Sequence, residues 1–217
     1  DADLLSDLER NGDFYLLQIN NEMSLKRSFT HFAVRLFRND DRIRYRNRLH
    51  EHLDLPETVF KGEEAKTVIQ HSGYIEETMA EKDKLNRNLS LMIKEVEEHP
   101  TAYNLFNMGK TYLSINRHDK AIEYFKKAYS LSHGKVFMPE LLTKFAYSLG
   151  ELNRQEEGLL ILKDAVVLFP QETEMKYIQG RLYVKAGYIK DAIKCFQTCL
   201  ELGDQGTTVT EGSGGYM

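Results

Sequence analysis

NLFNMGKTYLSINRHDKAIEYFKKAYSL (Asn104–Leu131) and KYIQGRLYVKAGYIKDAIKCFQTCLEL (Lys176–Leu202) are two copies of one pattern. Each places a glycine, a tyrosine three positions later, then an alanine, then a phenylalanine four positions after that. The segment between them keeps the skeleton with Ala146, Leu149, Gly158 and Leu162, so Ala121, Gly158 and Ala192 recur at offsets of thirty-seven and thirty-four. Self-similarity at such an interval means stacked units, each unable to bury its apolar face alone. The small residues Gly109, Ala146 and Gly180 are expected where the two helices of a unit cross. Ala121, Gly158 and Ala192 are the matching small sites on the second helix. Tyr112, Leu149 and Tyr183, with Phe125, Leu162 and Phe196, are expected to fill the groove between units. Asn116, Asn153 and Gly187 fall at the inter-helix turn, where a left-handed backbone is tolerated. Pro170 is expected to end a helix, and Ser132–Glu140 holds extra residues that lengthen one connection.

A period near thirty-four with this small/aromatic pattern is the signature of tetratricopeptide repeats, placed here over about 102–133, 136–170 and 173–203. Ahead of them, residues 81–99 carry Leu85, Leu89, Met92, Ile93 and Val96 at helical spacing and stop at Pro100, which predicts a capping helix. The fold class expected is mainly α, a tetratricopeptide α-solenoid preceded by a small β-rich region. Such arrays form a concave face, built largely from first helices, that holds extended peptides. Asn104, Asn107, Lys110, Lys176 and Arg181 are the polar residues expected to line that groove. Cys195 and Cys199, four apart on one helix face, suit a reduced, packed pair rather than a disulfide framework.

Before residue 80 the pattern is different. FYLLQI (Phe14–Ile19), FAVRLF (Phe32–Phe37), IRYRNRL (Ile43–Leu49) and TVIQH (Thr67–His71) read as strands, with Asn39-Asp40-Asp41 as a hairpin turn. In the third of these, Arg44, Arg46 and Arg48 would share one face of a period-two strand. That face is either solvated or meets phosphate or another domain.

Composition closes several routes. The chain has 217 residues, a formal net charge of −4 and 29% charged residues, so no global field favours nucleic acid. No run of apolar residues is long enough to span a membrane, and the acidic start DADLLSDLERNGD is unlike a signal peptide. A reducing, cytoplasmic setting is expected. No serine–histidine–acid order, glycine-rich phosphate loop or cysteine–histidine zinc spacing is present.

RLFRNDDRIRYRNRLHEHL (Arg35–Leu53), VIQHSGY (Val68–Tyr74) and KDKLNRNL (Lys82–Leu89), followed by repeats, resemble bacterial family 2 glycosyltransferases with a C-terminal tetratricopeptide region, the layout of glycocin S-glycosyltransferases. The resemblance implies that residues 1–80 are the closing part of a catalytic domain, 81–203 its helical domain, and 204–217 a glycine-rich tail or linker. It implies a parent protein that moves a sugar from a nucleotide-sugar to a protein, peptide or glycan acceptor, with the nucleotide-binding half upstream of this chain. Asp1 and Asp3 would then hold Mg²⁺ or Mn²⁺, Glu51 would be the base with His50 beside it, and Arg35 and Arg38 would meet donor phosphate. The usual glycine before the His-Glu pair is replaced here, where the text reads Asn47-Arg48. Alone, such a chain is expected to be inactive, and exposed strand edges in its first part favour a homodimer. The alternative expectation is a stand-alone interaction module without catalysis.

Overall fold

The computed structural model describes residues 2–23, 28–49, 52–53, 60–74 and 78–203. They fall into two compact units, one within Asp1–Asp83 and one over Lys84–Gln205. Asp1, His50, Glu51 and the tail from residue 204 lie outside the described residues.

The first unit is a three-stranded sheet with a short helix laid against it. Helix α1 (Ala2–Leu8) is followed by β1 (Phe14–Met23), β2 (Ser28–Phe37), the two-residue strands β3 (Tyr45–Arg46) and β4 (His52–Leu53), and the long β5 (Gly62–Tyr74). The sheet order is β2-β1-β5, with β1 antiparallel to β2 and parallel to β5. Alternation along β1 buries Tyr15, Leu17 and Ile19. The parallel pairing is interrupted. Leu16 lies opposite Glu64 but Gln18 lies opposite Val68, so β5 bulges between them.

A buried carboxylate answers that bulge. Asp7 accepts from the Lys66 and Thr67 amides at 2.9 Å and from the Thr67 hydroxyl at 2.8 Å. Arg10 donates to it at 3.2 Å and reaches Glu63 at 2.6 Å. Burial alone would raise the Asp7 carboxyl, but these donors outweigh it and hold the group at about 2. Helix α1 is thus tied to a strand some sixty residues away.

Two sequence expectations are corrected here. IRYRNRL is not a continuous strand: only Tyr45–Arg46 is extended, paired with His52–Leu53. Asn47 turns left-handed at φ 67° and ends it, while Arg42 and Arg44 fold back onto Asp40 and Asp41 instead of forming a one-sided row. Nor is Asn39–Asp41 a hairpin turn, because β2 pairs with β1 and β3 with β4. Ile43, Leu53 and Phe60 instead form a small apolar cluster under this loop.

The second unit is a stack of helices: α2 (Thr78–Glu98), α3 (Ala102–Ser114), α4 (His118–Tyr129), α5 (Met138–Glu151), α6 (Gln155–Leu168), α7 (Thr173–Ala186) and α8 (Ile189–Leu202). The periodic residues sit where their chemistry predicts. A Cβ on Gly109 would strike the Phe125 ring, and one on Gly180 would lie 2.6 Å from Phe196, so each first helix touches its partner at a site without a side chain. Asn116, Asn153 and Gly187 take φ of 57°, 56° and 83° at the three turns. Thr101 caps α3 by accepting from the Asn104 amide at 3.1 Å. The longer connection Ser130–Phe137 ends on Phe137, whose ring stacks on Phe106 at 5.1 Å and closes the first repeat against the second.

Candidate functional site

Curvature decides which face of the stack can hold a ligand. First helices of neighbouring repeats pack directly, α3 on α5 and α5 on α7. Among the described residues no comparable contact joins α4 to α6 or α6 to α8. Inner helices touch and outer ones diverge, so α3, α5 and α7 line the concave side.

That side is strung with ion pairs. Lys110 meets Glu140 at 3.1 Å, Lys144 meets Glu174 at 3.0 Å, and Glu151 receives both Arg181 at 3.3 Å and Lys185 at 3.1 Å. Lys185 also donates to the Gly150 carbonyl at 2.7 Å. Two cations lie over ring faces: Lys110 over Phe106 at 5.1 Å and Arg181 over Tyr147 at 5.4 Å. Tyr147, Glu151, Ile178, Arg181 and Lys185 border a shallow depression between α5 and α7. The face therefore offers charged heads, ring edges and a dent rather than an apolar slot.

Of the residues expected in the groove, Lys110 and Arg181 belong to this ladder. Lys176 is half-buried near Cys195 and Cys199. Asn104 is buried, and its amide donates to the His99 carbonyl at 2.9 Å and toward Glu95, so it is a strut between α2 and α3 rather than a groove liner. Asn107 is also buried, yet its Nδ2 has no hydrogen-bond partner. Residue-by-residue reading missed Lys144, Tyr147, Glu151 and Lys185. A signal was present: Lys110 to Glu140, Lys144 to Glu174 and Glu151 to Arg181 are each opposite charges thirty positions apart.

In the first unit, Arg35 is exposed and donates to its neighbour's carbonyl, Val34, at 3.1 Å. Arg38 ties the end of β2 to the turn before β1 through the Gly12 carbonyl at 3.2 Å and Asp13. Asp3 lies in the first turn of α1, exposed. Among the described residues no three His, Cys, Asp or Glu side chains converge to hold a metal ion. One polar row does cross the sheet. Buried Asn21 on β1 bonds His31 Nδ1 on β2 at 2.8 Å, and its Oδ1 bonds His71 Nδ1 on β5 at 2.9 Å. With the amide in this orientation, His31 accepts and His71 donates.

Cys195 and Cys199 are free thiols facing Gln179 and the Thr173 carbonyl. Burial pushes both thiols up, which keeps them protonated and leaves them a packing role.

A sequence model of the tetratricopeptide repeat matches residues 102–132 and 173–202. The chain carries tetratricopeptide repeats in its C-terminal half, and its described residues are mostly helical with a small N-terminal sheet. The unmatched middle repeat is the one with a lengthened loop and with Ala146 and Gly158 exchanging the usual small residues. Solved structures of MamA share the fold. One crystal structure of MamA aligns at 20% identity and a TM-score of 0.51, over 57% of this chain and 71% of that one. A double mutant of MamA RS-1 aligns at 15% identity and 0.51, covering 57% and 68%. MamA from residue 41 onward of Desulfovibrio magneticus RS-1 aligns at 16% and 0.50, covering 57% and 68%. At these identities the likeness is one of fold. The comparison with curated proteins gives no match, and no glycosyltransferase family matches the chain.

No helix among the described residues is long and apolar enough to cross a membrane.

Proposed function

We propose that this chain is a protein-interaction module that holds an extended peptide along the concave side of α3, α5 and α7. The reading is carried by the ion-pair ladder on those helices. Its partners are half-exposed charged heads whose bonds a peptide can exchange without uncovering core. Four cations face three carboxylates along the ladder (Lys110, Lys144, Arg181 and Lys185 against Glu140, Glu151 and Glu174), so a neutral or mildly acidic segment fits best. The test is a display library of unstructured peptides. Selected peptides should lose about tenfold or more in affinity with Tyr147→Ala or Arg181→Glu, roughly the weight of one cation–π contact and its ion pair. They should ignore Leu160→Glu on the outer face. Binding insensitive to both groove changes would remove the reading.

A second reading follows the sequence resemblance: the chain as the acceptor side of a sugar transferase, its groove presenting the acceptor. The His31–Asn21–His71 row, with β5 running parallel to β1, is the observation that favours it. Among the described residues no metal-binding group of side chains gathers around Asp3. Calorimetric titration with a soluble glycan or glycopeptide acceptor separates the two readings, because the resemblance puts the donor half upstream of this chain. Saturable binding lost in His71→Ala supports the transferase, and flat heats at about 1 mM acceptor leave the interaction module alone.

A further inference from the structure

The third repeat repeats the surface of the second, but among the described residues nothing covers it. Moving thirty-four positions from repeat two to repeat three takes Thr143, Gly150, Leu159 and Val166 to Tyr177, Val184, Ile193 and Leu200. In the second repeat this face is covered. Thr143 is 3% exposed, Val166 is 8% exposed, Leu159 packs against the cluster around Met175 and Leu182, and a Cβ on Gly150 would strike Leu182. In the third repeat the equivalents are open: Tyr177 and Val184 at 48%, Ile193 at 50% and Leu200 at 84%. Ile189 extends the stripe at 53%. On α8, Ile189, Ile193, Phe196 and Leu200 follow the i, i+4, i+7, i+11 spacing of a packing seam.

We infer that this face is covered by the same face of a second copy, with α8 packed antiparallel on α8 across a two-fold axis near Phe196 and Gln197. The charge pattern selects this occupant. An axis between residues 196 and 197 sets Ile193 opposite the partner copy's Leu200. In an isologous antiparallel pair, the flank of one helix meets the same flank of the other. Lys190, Gln197, Lys194 and Glu201 all lie on one flank of the seam, lysines toward the start and the glutamate toward the end. Antiparallel pairing therefore puts each Glu201 within two residues of the levels of the other copy's Lys190 and Lys194. Lys194 already leans on Asp191 at 3.3 Å, with its head three-quarters exposed and free to turn outward. A seam of this length, with Tyr177 and Val184 beside it, buries about 500 Å² per copy, less than the roughly 800 Å² of a standard interface, so the dimer is reversible and micromolar.

Sedimentation velocity on the 217-residue chain tests this. A monomer–dimer equilibrium is expected, mostly dimer at about 100 µM and monomer at about 1 µM. Leu200→Arg should weaken association at least tenfold while circular dichroism stays unchanged, because Leu200 touches little in the monomer. Lys194→Glu and Glu201→Lys should each weaken it several-fold, and the double swap should restore it. Three results would overturn the inference. They are a chain that stays monomeric at about 100 µM, a dimer that survives Leu200→Arg (association through another surface), and a double swap no better than either single change.

Discussion

The two units of this chain hold themselves together by opposite means. In the repeats, the main contacts recur: a glycine under a phenylalanine ring in the first and third, a left-handed residue at each turn, a cation thirty positions before or after a carboxylate. In the sheet unit, α1 is fastened chiefly at Asp7, whose carboxylate closes a strand bulge from sixty positions away, with Arg10 on Glu63 beside it. Repetition spreads stability over many similar contacts, so that each is legible from its copies. A single long-range lock concentrates it and leaves no pattern to read.

The sharpest way to break the comparison is at a crossing glycine. Gly109→Val would drive its branches into Phe125, which has no exposed side toward which to move, and should cost about 3–4 kcal/mol of the second unit's stability. Chemical denaturation should show that loss in the helical transition, with the sheet's amides unchanged in hydrogen exchange. If the damage reaches both units, they do not fold independently. The converse change is Asp7→Ala. It strands the Lys66 and Thr67 amides and the Thr67 hydroxyl, and should cost about 2–4 kcal/mol in the first unit, read as lost protection along β5.

Acid should imitate that substitution. The Asp7 carboxyl sits at about 2 when folded, against 3.8 when free, so it binds more protons unfolded than folded. Its contribution is therefore fully present above about pH 4 and is lost as pH falls toward 2. Amide hydrogen exchange along β5 followed across that range should show a transition that Asp7→Asn flattens, while the helical signal at 222 nm stays steadier. The smallest effect belongs to the turns. Asn153→Ala should cost about 1 kcal/mol because φ is 56° there, and Asn153→Gly should be near neutral. Equal melting temperatures for the two variants would mean that the turn relaxes and its backbone geometry carries no weight.

The same contrast explains what the sequence made visible. Gly109, Gly180, Phe125 and the turn residues were found because three copies agree, and tetratricopeptide packing demands those sizes at those places. Asn104 and Asn107 looked like groove liners because polar type was taken as a sign of exposure, yet both are buried, Asn104 against α2. Tyr147 and Lys144 escaped notice because neither belongs to the repeat skeleton, and only the thirty-residue charge spacing marks Lys144. In the sheet unit the alternation of Phe14–Ile19 located β1 but understated its length. IRYRNRL misled for a different reason. Its period-two pattern was genuine, but Asp40 and Asp41 compete for its arginines, and Asn47 bends the chain before a partner strand can form. The helix at Ala2–Leu8 was overlooked because it is seven residues long, its leucines Leu4, Leu5 and Leu8 are exposed, and its one buried residue is an acid.

The ladder on the inner helices has a mechanical consequence. Its pairs are partly exposed, so dissolved salt shares their field over a distance of about 10 Å at 0.1 M. Each pair spans two repeats rather than one, which makes it a strut across the hinge between them. Loosening the struts leaves the apolar seams intact and lets successive units rotate slightly. The superhelix should therefore behave as a spring whose pitch answers to ionic strength, tightening in dilute buffer and opening in brine.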